Sequence, residues 1–115
     1  MIRHVMMWRI KDAAGRSKQE NIALCVAALA EMRAAIPDVL SLEVGHNFAQ
    51  VDNAYDLLVA VEFADRAAFD HFLEHPAHHR VGEVVAPLRD AVGVVDYEHK
   101  SVSERRARHD HRVPG

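Results

Sequence analysis

The first apolar pattern along the chain has a period of two. Ile2, His4, Met6, Trp8 and Ile10 fall on one side of an extended segment, and Arg3, Val5, Met7 and Arg9 fall on the other. This alternation predicts a β-strand over residues 2–10. Large apolar groups stand on both sides, so both faces of the strand need cover. A turn through Asp12–Arg16, containing Gly15, then changes the period. Ser17-Lys18-Gln19-Glu20 matches a capping box, and Ile22, Cys25, Val26, Leu29, Met32 and Ile36 recur at helical spacing until Pro37 stops the run.

Alternation returns at Val39–Gly45, with Leu40, Leu42 and Val44 on one side and Val39, Ser41 and Glu43 on the other. The polar stretch His46–Asn53 reads as a loop. In the next strand, Tyr55–Phe63, one face is Tyr55, Leu57, Val59, Val61 and Phe63, and Asp56, Leu58, Ala60 and Glu62 oppose it. Asp65 is placed to cap a helix carrying Phe69, Phe72 and Leu73. Pro76 suits the first position of a further helical piece whose buried side is Val81, Val84, Val85 and Leu88. Ala91–Tyr97 is the last strand.

The order β-α-β-β-α-β is the split βαβ pattern of a ferredoxin-like sandwich. That is an α+β class in which one antiparallel sheet carries its helices on one face. The opposite face then holds Val5, Met7, Leu58, Ala60 and Val95, a contiguous apolar patch of the kind that marks a protein interface. Two copies related by a two-fold axis would cover both patches at once. The pattern therefore predicts a homodimeric α/β barrel.

Length and charge narrow the function. A chain of 115 residues predicts one domain, placed at residues 1–98. Residues 99–115 are charged, nearly devoid of apolar groups and expected to be a disordered tail. With His neutral the net charge is −3, which argues against nucleic acid as the main partner. No apolar stretch approaches the ~18 residues of a membrane span, and the N-terminus lacks the pattern of a signal peptide. Cys25 is the single cysteine, so no internal disulfide forms. A cytoplasmic location is the expectation.

Histidine carries the candidate chemistry, because its side chain titrates near neutrality. There are nine, with His99, His109 and His111 in the tail. His4 is the polar member of an apolar strand face. It reads either as a core histidine tied to a backbone carbonyl or as a group serving a pocket. His71 and His75, four residues apart on one helix, have a spacing that can hold a metal, but no third ligand follows at conventional spacing and no metal is expected. His71 and His79 read as exposed, and His75 as a cation ending its helix. Nucleophile motifs and phosphate loops are absent, and no cofactor is implied.

Several short pieces, in order and at the right intervals, resemble the stress-responsive α/β-barrel (Dabb) family. They are Ile2-Arg3-His4-Val5, Ile36-Pro37-Asp38-Val39, Tyr55-Asp56-Leu57, His75-Pro76-Ala77-His78 and Val95-Asp96-Tyr97. The resemblance covers residues 1–98. It implies a ferredoxin-like homodimer with a pocket between sheet and helices in each subunit. A plant polyketide cyclase of the family implies a pocket base at His78 and a first-strand histidine at His4. Its tyrosine falls on Phe72, and its third-strand histidine falls on Leu57. Two positions are kept and two are lost, so the same cyclisation is not expected. The expected site is His78 and His4 as catalytic residues, walled by Trp8, Leu57, Val59, Phe69, Phe72, Leu73 and Val81 around a small aromatic or polyketide-like ligand. A non-catalytic ligand-binding or stress-tolerance dimer is the alternative, and the sequence leaves both open.

Overall fold

The computed structural model of the chain describes residues 1–99; the rest of the expected tail lies outside the described residues. Strand β1 (Ile2–Ile10) leads into helix α1 (Lys18–Ala35), strands β2 (Ser41–His46) and β3 (Leu57–Phe63), helices α2 (Arg66–Glu74) and α3 (Pro76–Val85), a 3-10 turn (Ala86–Leu88) and strand β4 (Arg89–Glu98). The four strands form one antiparallel sheet in the order β2-β3-β1-β4. This is the α+β ferredoxin-like arrangement that the element order predicts. None of the described helices is long and apolar enough to cross a membrane.

The two faces of β1 divide as its alternation requires. Ile2, His4, Trp8 and Ile10 are buried against the helices, together with Leu57, Val59, Val61 and Phe63 of β3. Helix α1 begins at the capping box: the Glu20 N–H donates to Ser17 Oγ at 3.2 Å and the Ser17 N–H to Glu20 Oε1 at 2.9 Å. Its stripe of Ile22, Cys25, Leu29 and Met32, continued by Ile36, closes the core. The turn before it puts Ala14 and Gly15 at φ 55° and 75°, the paired left-handed positions of a tight reversal that glycine favours. Asn21, fully buried, holds this turn to the helix. Its Nδ2 donates to the carbonyls of Lys11 (2.9 Å) and Ala13 (3.3 Å), and its Oδ1 accepts from Arg16 Nε at 3.0 Å.

Three expectations shift. The second strand starts at Ser41 rather than Val39, because the Val39 N–H donates back to Ile36 O at 3.1 Å. That turn buries Val39 and leaves Leu40 exposed. Asp56 precedes β3 and fastens the sheet end: its N–H donates to Trp8 O, and its carboxylate accepts from the Ile10 N–H at 2.7 Å and pairs with Lys18 at 3.2 Å. His99, assigned to the tail, is tied to the sheet. Its N–H donates to Met1 O at 3.0 Å and its Nε2 lies 2.8 Å from Glu62.

On the sheet face away from the helices, Val5 lies beside Ala60 and Val95, and Met7 beside Leu58 and Gly93. Met7, Leu58 and Val95 are 40%, 38% and 59% exposed, so the predicted patch is bare in the single chain. Arg3, Glu62 and Tyr97 border it at one end, with Arg3 paired to Glu62 at 2.9 Å.

Candidate functional site

The joint between α2 and α3 sets the geometry of the site. His75 ends α2 and starts α3. Its N–H donates to Phe72 O at 3.1 Å, and its Nδ1 accepts from the Ala77 N–H at 3.0 Å. An accepting Nδ1 carries a lone pair, so this contact replaces the predicted cation at the helix end with a neutral cap. Pro76 opens α3, where its missing N–H costs nothing. His78 follows in the first turn of α3, and its ring folds back over the end of α2. There its Nδ1 lies 3.3 Å from Leu73 O, a carbonyl that the α2 ladder leaves without a partner. His79 Nε2 shares the same oxygen at 3.1 Å.

A carbonyl oxygen can only accept, so the His78 proton sits on Nδ1 and the lone pair on Nε2. The ring packs on Phe72 with centroids 4.4 Å apart. Burial pushes the His78 pKa below the ordinary histidine value. The Leu73 carbonyl opposes this shift, and the neighbouring His4 and His79 add to it.

His4 is held from the other side. The register of β1 against β4 places His4 opposite Asp96, and His4 Nδ1 is hydrogen-bonded to the Asp96 carboxylate. Of the two readings the sequence left open, a carbonyl tie is replaced by a carboxylate tie. A carboxylate behind Nδ1 fixes the ring's orientation and leaves Nε2 as its second nitrogen. His4 is buried and lies against Phe69 and Phe72, with centroids at 5.6 and 6.0 Å.

His4 and His78 line one cavity of about 30 Å³ between the sheet, α1 and α3, roughly the room of one water molecule. Trp8, Val59, Phe72 and Val81 are walls of it as expected, and Met6, Leu29, Met32 and Val61 complete it. The other three expected walls lie elsewhere. Leu73 points to solvent at 37% exposure, on the outer side of α2. Phe69 is buried beside His4 but borders a separate depression with Ile2 and Tyr97. Leu57 is buried at the far end of β3, next to an open groove of about 620 Å³ under the β2–β3 loop. That wider groove is continuous with the bare sheet face through Met7 and Leu58 and brings neither His4 nor His78 to its wall, so the small cavity is where the titratable groups meet.

Sequence reasoning gave Asp96 no role. The signal was present: Asp96 interrupts the alternation Val92, Val94 on β4 as His4 interrupts that of β1. Elsewhere the histidines have structural partners. His71 Nδ1 lies 2.9 Å from Asp38, and its ring stands edge-on to His75 with centroids 6.0 Å apart. Among the described residues, no group of three or more His, Cys, Asp or Glu side chains is arranged to hold a metal ion.

Residues 2–99 match the family described as the stress responsive A/B barrel domain, Dabb. The uncharacterized protein SCO4036 of Streptomyces coelicolor is 32% identical over 78 residues, which are 68% of this chain and 79% of the relative. Among solved structures, a dimeric ferredoxin-like protein of unknown function from Jannaschia is 27% identical with a TM-score of 0.67, covering 85% of this chain and 98% of that one. A hydroxynitrile lyase from Passiflora edulis superposes with a TM-score of 0.75 at 16% identity, covering 88% of this chain and 94% of that one. The strand order, the two faces of the sheet and the match across nearly the whole described chain agree: the protein belongs to the Dabb family of stress-responsive α/β-barrel domains.

Proposed function

We propose that the protein is a homodimer with a small-molecule pocket in each subunit, in which His78 acts as a general base without metal or organic cofactor. One observation carries this reading. Both imidazoles commit Nδ1, one to the Leu73 carbonyl and one to Asp96, and both residues line one apolar cavity, which leaves Nε2 of each as the ring nitrogen without a named partner. Such a base suits proton abstraction from carbon beside a carbonyl. The C–H bond breaks, its electron pair moves into an enolate, and an N–H bond forms at Nε2. Returning the proton completes an exchange or isomerisation; aldol-type cyclisations and eliminations beside a carbonyl share this opening step. Burial keeps His78 unprotonated at neutral pH, and Asp96 steadies the charge that His4 would take on if it received a proton.

The bare apolar sheet face supports the dimer, as does the description of the Jannaschia relative as dimeric. The Passiflora relative, named as a hydroxynitrile lyase, supports the fold's suitability for lyase-type chemistry; at its identity it lends no substrate. The test is deuterium incorporation at the α-carbon of aryl ketones in heavy water, followed by NMR. The reading expects His78→Ala to slow exchange on the order of 10²-fold. Equal exchange by His78→Ala and the unaltered chain would sink it. A second reading, a dimer that holds a ligand without chemistry, draws on the small volume of the cavity. Tight binding of a ketone that returns unexchanged would favour that reading.

A further inference from the structure

One wall of the cavity, Trp8, carries a polar atom that the proposed chemistry does not yet use. Trp8 is 2% exposed, and its indole Nε1 has no hydrogen-bond partner among the described residues. An indole N–H can only donate, and a buried donor without an acceptor is costly and rare in native proteins. The side chain lines the same cavity as His4 and His78.

The polar inventory of that cavity is short. The Nδ1 positions of both histidines are occupied, which leaves Nε2 of each as the group offered to a ligand. His78 Nε2 carries a lone pair and cannot donate while the ring is neutral. Phe72 contributes no hydroxyl, and the remaining walls are Met6, Leu29, Met32 and aliphatic residues. A ligand carbonyl meeting the neutral His78 therefore needs its donor from elsewhere, and among the cavity's walls Trp8 has a buried N–H without a partner.

We infer that the Trp8 indole N–H is the pocket's hydrogen-bond donor to the ligand's carbonyl oxygen, and that it favours ligands pairing such an oxygen with an adjacent acidic C–H. This rests on the proposed function of the same site. In the proton abstraction drawn above, charge gathers on that oxygen as the C–H bond breaks, and a donor already in place stabilises it without rearrangement. Entry requires the cavity to widen. Met6 and Met32 are unbranched and adaptable, and half-buried His78 stands at its rim.

Trp8 is the single tryptophan, so the ¹⁵N-labelled full-length chain gives one indole N–H cross-peak. The experiment titrates it with acetophenone and with α-methylstyrene, which has the same shape with CH₂ in place of the carbonyl oxygen. The titration is made in the unaltered chain and in Phe72→Ala, where the cavity is enlarged. Expected is a downfield shift of the indole proton with acetophenone and none with α-methylstyrene. A second expectation is a preference of about tenfold for the ketone, lost when Trp8 is replaced by the isosteric benzothienylalanine. The inference is overturned by equal indole responses to both compounds, by acetophenone binding with an unmoved indole signal, or by failure of both to enter even Phe72→Ala. Deuterium exchange at the acetophenone methyl group, read in the same tubes, reports on His78 separately. A shifted indole without exchange keeps the donor and removes the base; exchange with an unmoved indole does the reverse.

Discussion

Replacing Phe72 with alanine tests the packing of the site and its capacity together. The Phe72 ring is 1% exposed and wedged between Phe63 at 4.7 Å and His78 at 4.4 Å, centroid to centroid. Deleting a buried aromatic ring costs about 3–5 kcal/mol, more where the surroundings cannot relax. Phe63 lies on β3 and is itself fully buried, and His4, 6.0 Å away, is anchored by Asp96. Collapse into the gap is therefore restricted, and the loss should fall in the upper half of that range. A domain of ordinary stability, about 5–15 kcal/mol, would survive it. The same deletion enlarges a cavity of about 30 Å³ towards the ~150 Å³ class that takes up benzene. Urea unfolding, at fixed protomer concentration because association contributes to stability, measures the first effect. Benzene uptake by NMR or calorimetry measures the second. A loss under about 1 kcal/mol with no gain in benzene binding would refute the described cavity.

Four further outcomes follow from His78, the bare sheet face and the turn before α1. Because burial lowers the His78 pKa, α-proton exchange should persist below pH 6.5, the ordinary histidine value, and fall only when the pH drops through the depressed value. A group favoured neutral in the folded state contributes stability above its unfolded pKa and loses it as pH falls, so His78→Ala should flatten the acid limb of a urea-midpoint profile; an unchanged limb would contradict this. Met7→Glu, at the centre of the bare sheet face, should convert the dimer to monomer at micromolar concentration in sedimentation velocity, and an intact dimer would place the interface elsewhere. Asn21→Ala leaves the Lys11 and Ala13 carbonyls without their donor. It should cost about 1–3 kcal/mol and speed amide exchange in residues 11–17; unaltered stability would mean that the turn is held by other groups.

The parts of the fold legible in the sequence are those with a strict period. Alternation assigned every residue of β1 and β3 to its face, and the α1 stripe needed only the capping box and Pro37 to fix its ends. The strand start was misplaced at Val39 because the chain there still closes the turn through the Val39 N–H and Ile36 O. The site was half legible. His4 stood out as the polar member of an apolar strand face and His78 was indicated by the family resemblance, but their meeting depends on β1 packing beneath α3. Leu73 looked like a wall because it is apolar and near His78 in sequence, yet it sits one position beyond Phe72 and so faces about 100° away on the helix. Asp96 required the β1–β4 register, which no local pattern specifies. The accepting nitrogen of His75 and the unspent N–H of Trp8 are matters of hydrogen-bond partners, which become countable only in three dimensions.

The proposed chemistry needs a neutral His78 that keeps its proton on Nδ1, beside Leu73 O, and its lone pair on Nε2. Long-range ¹H–¹⁵N correlation spectra of the histidine-labelled chain at pH 7.5 read this directly. The prediction is the Nδ1–H form for His78. Finding His78 as the Nε2–H tautomer or as imidazolium at that pH would contradict it, because no base would then face the pocket.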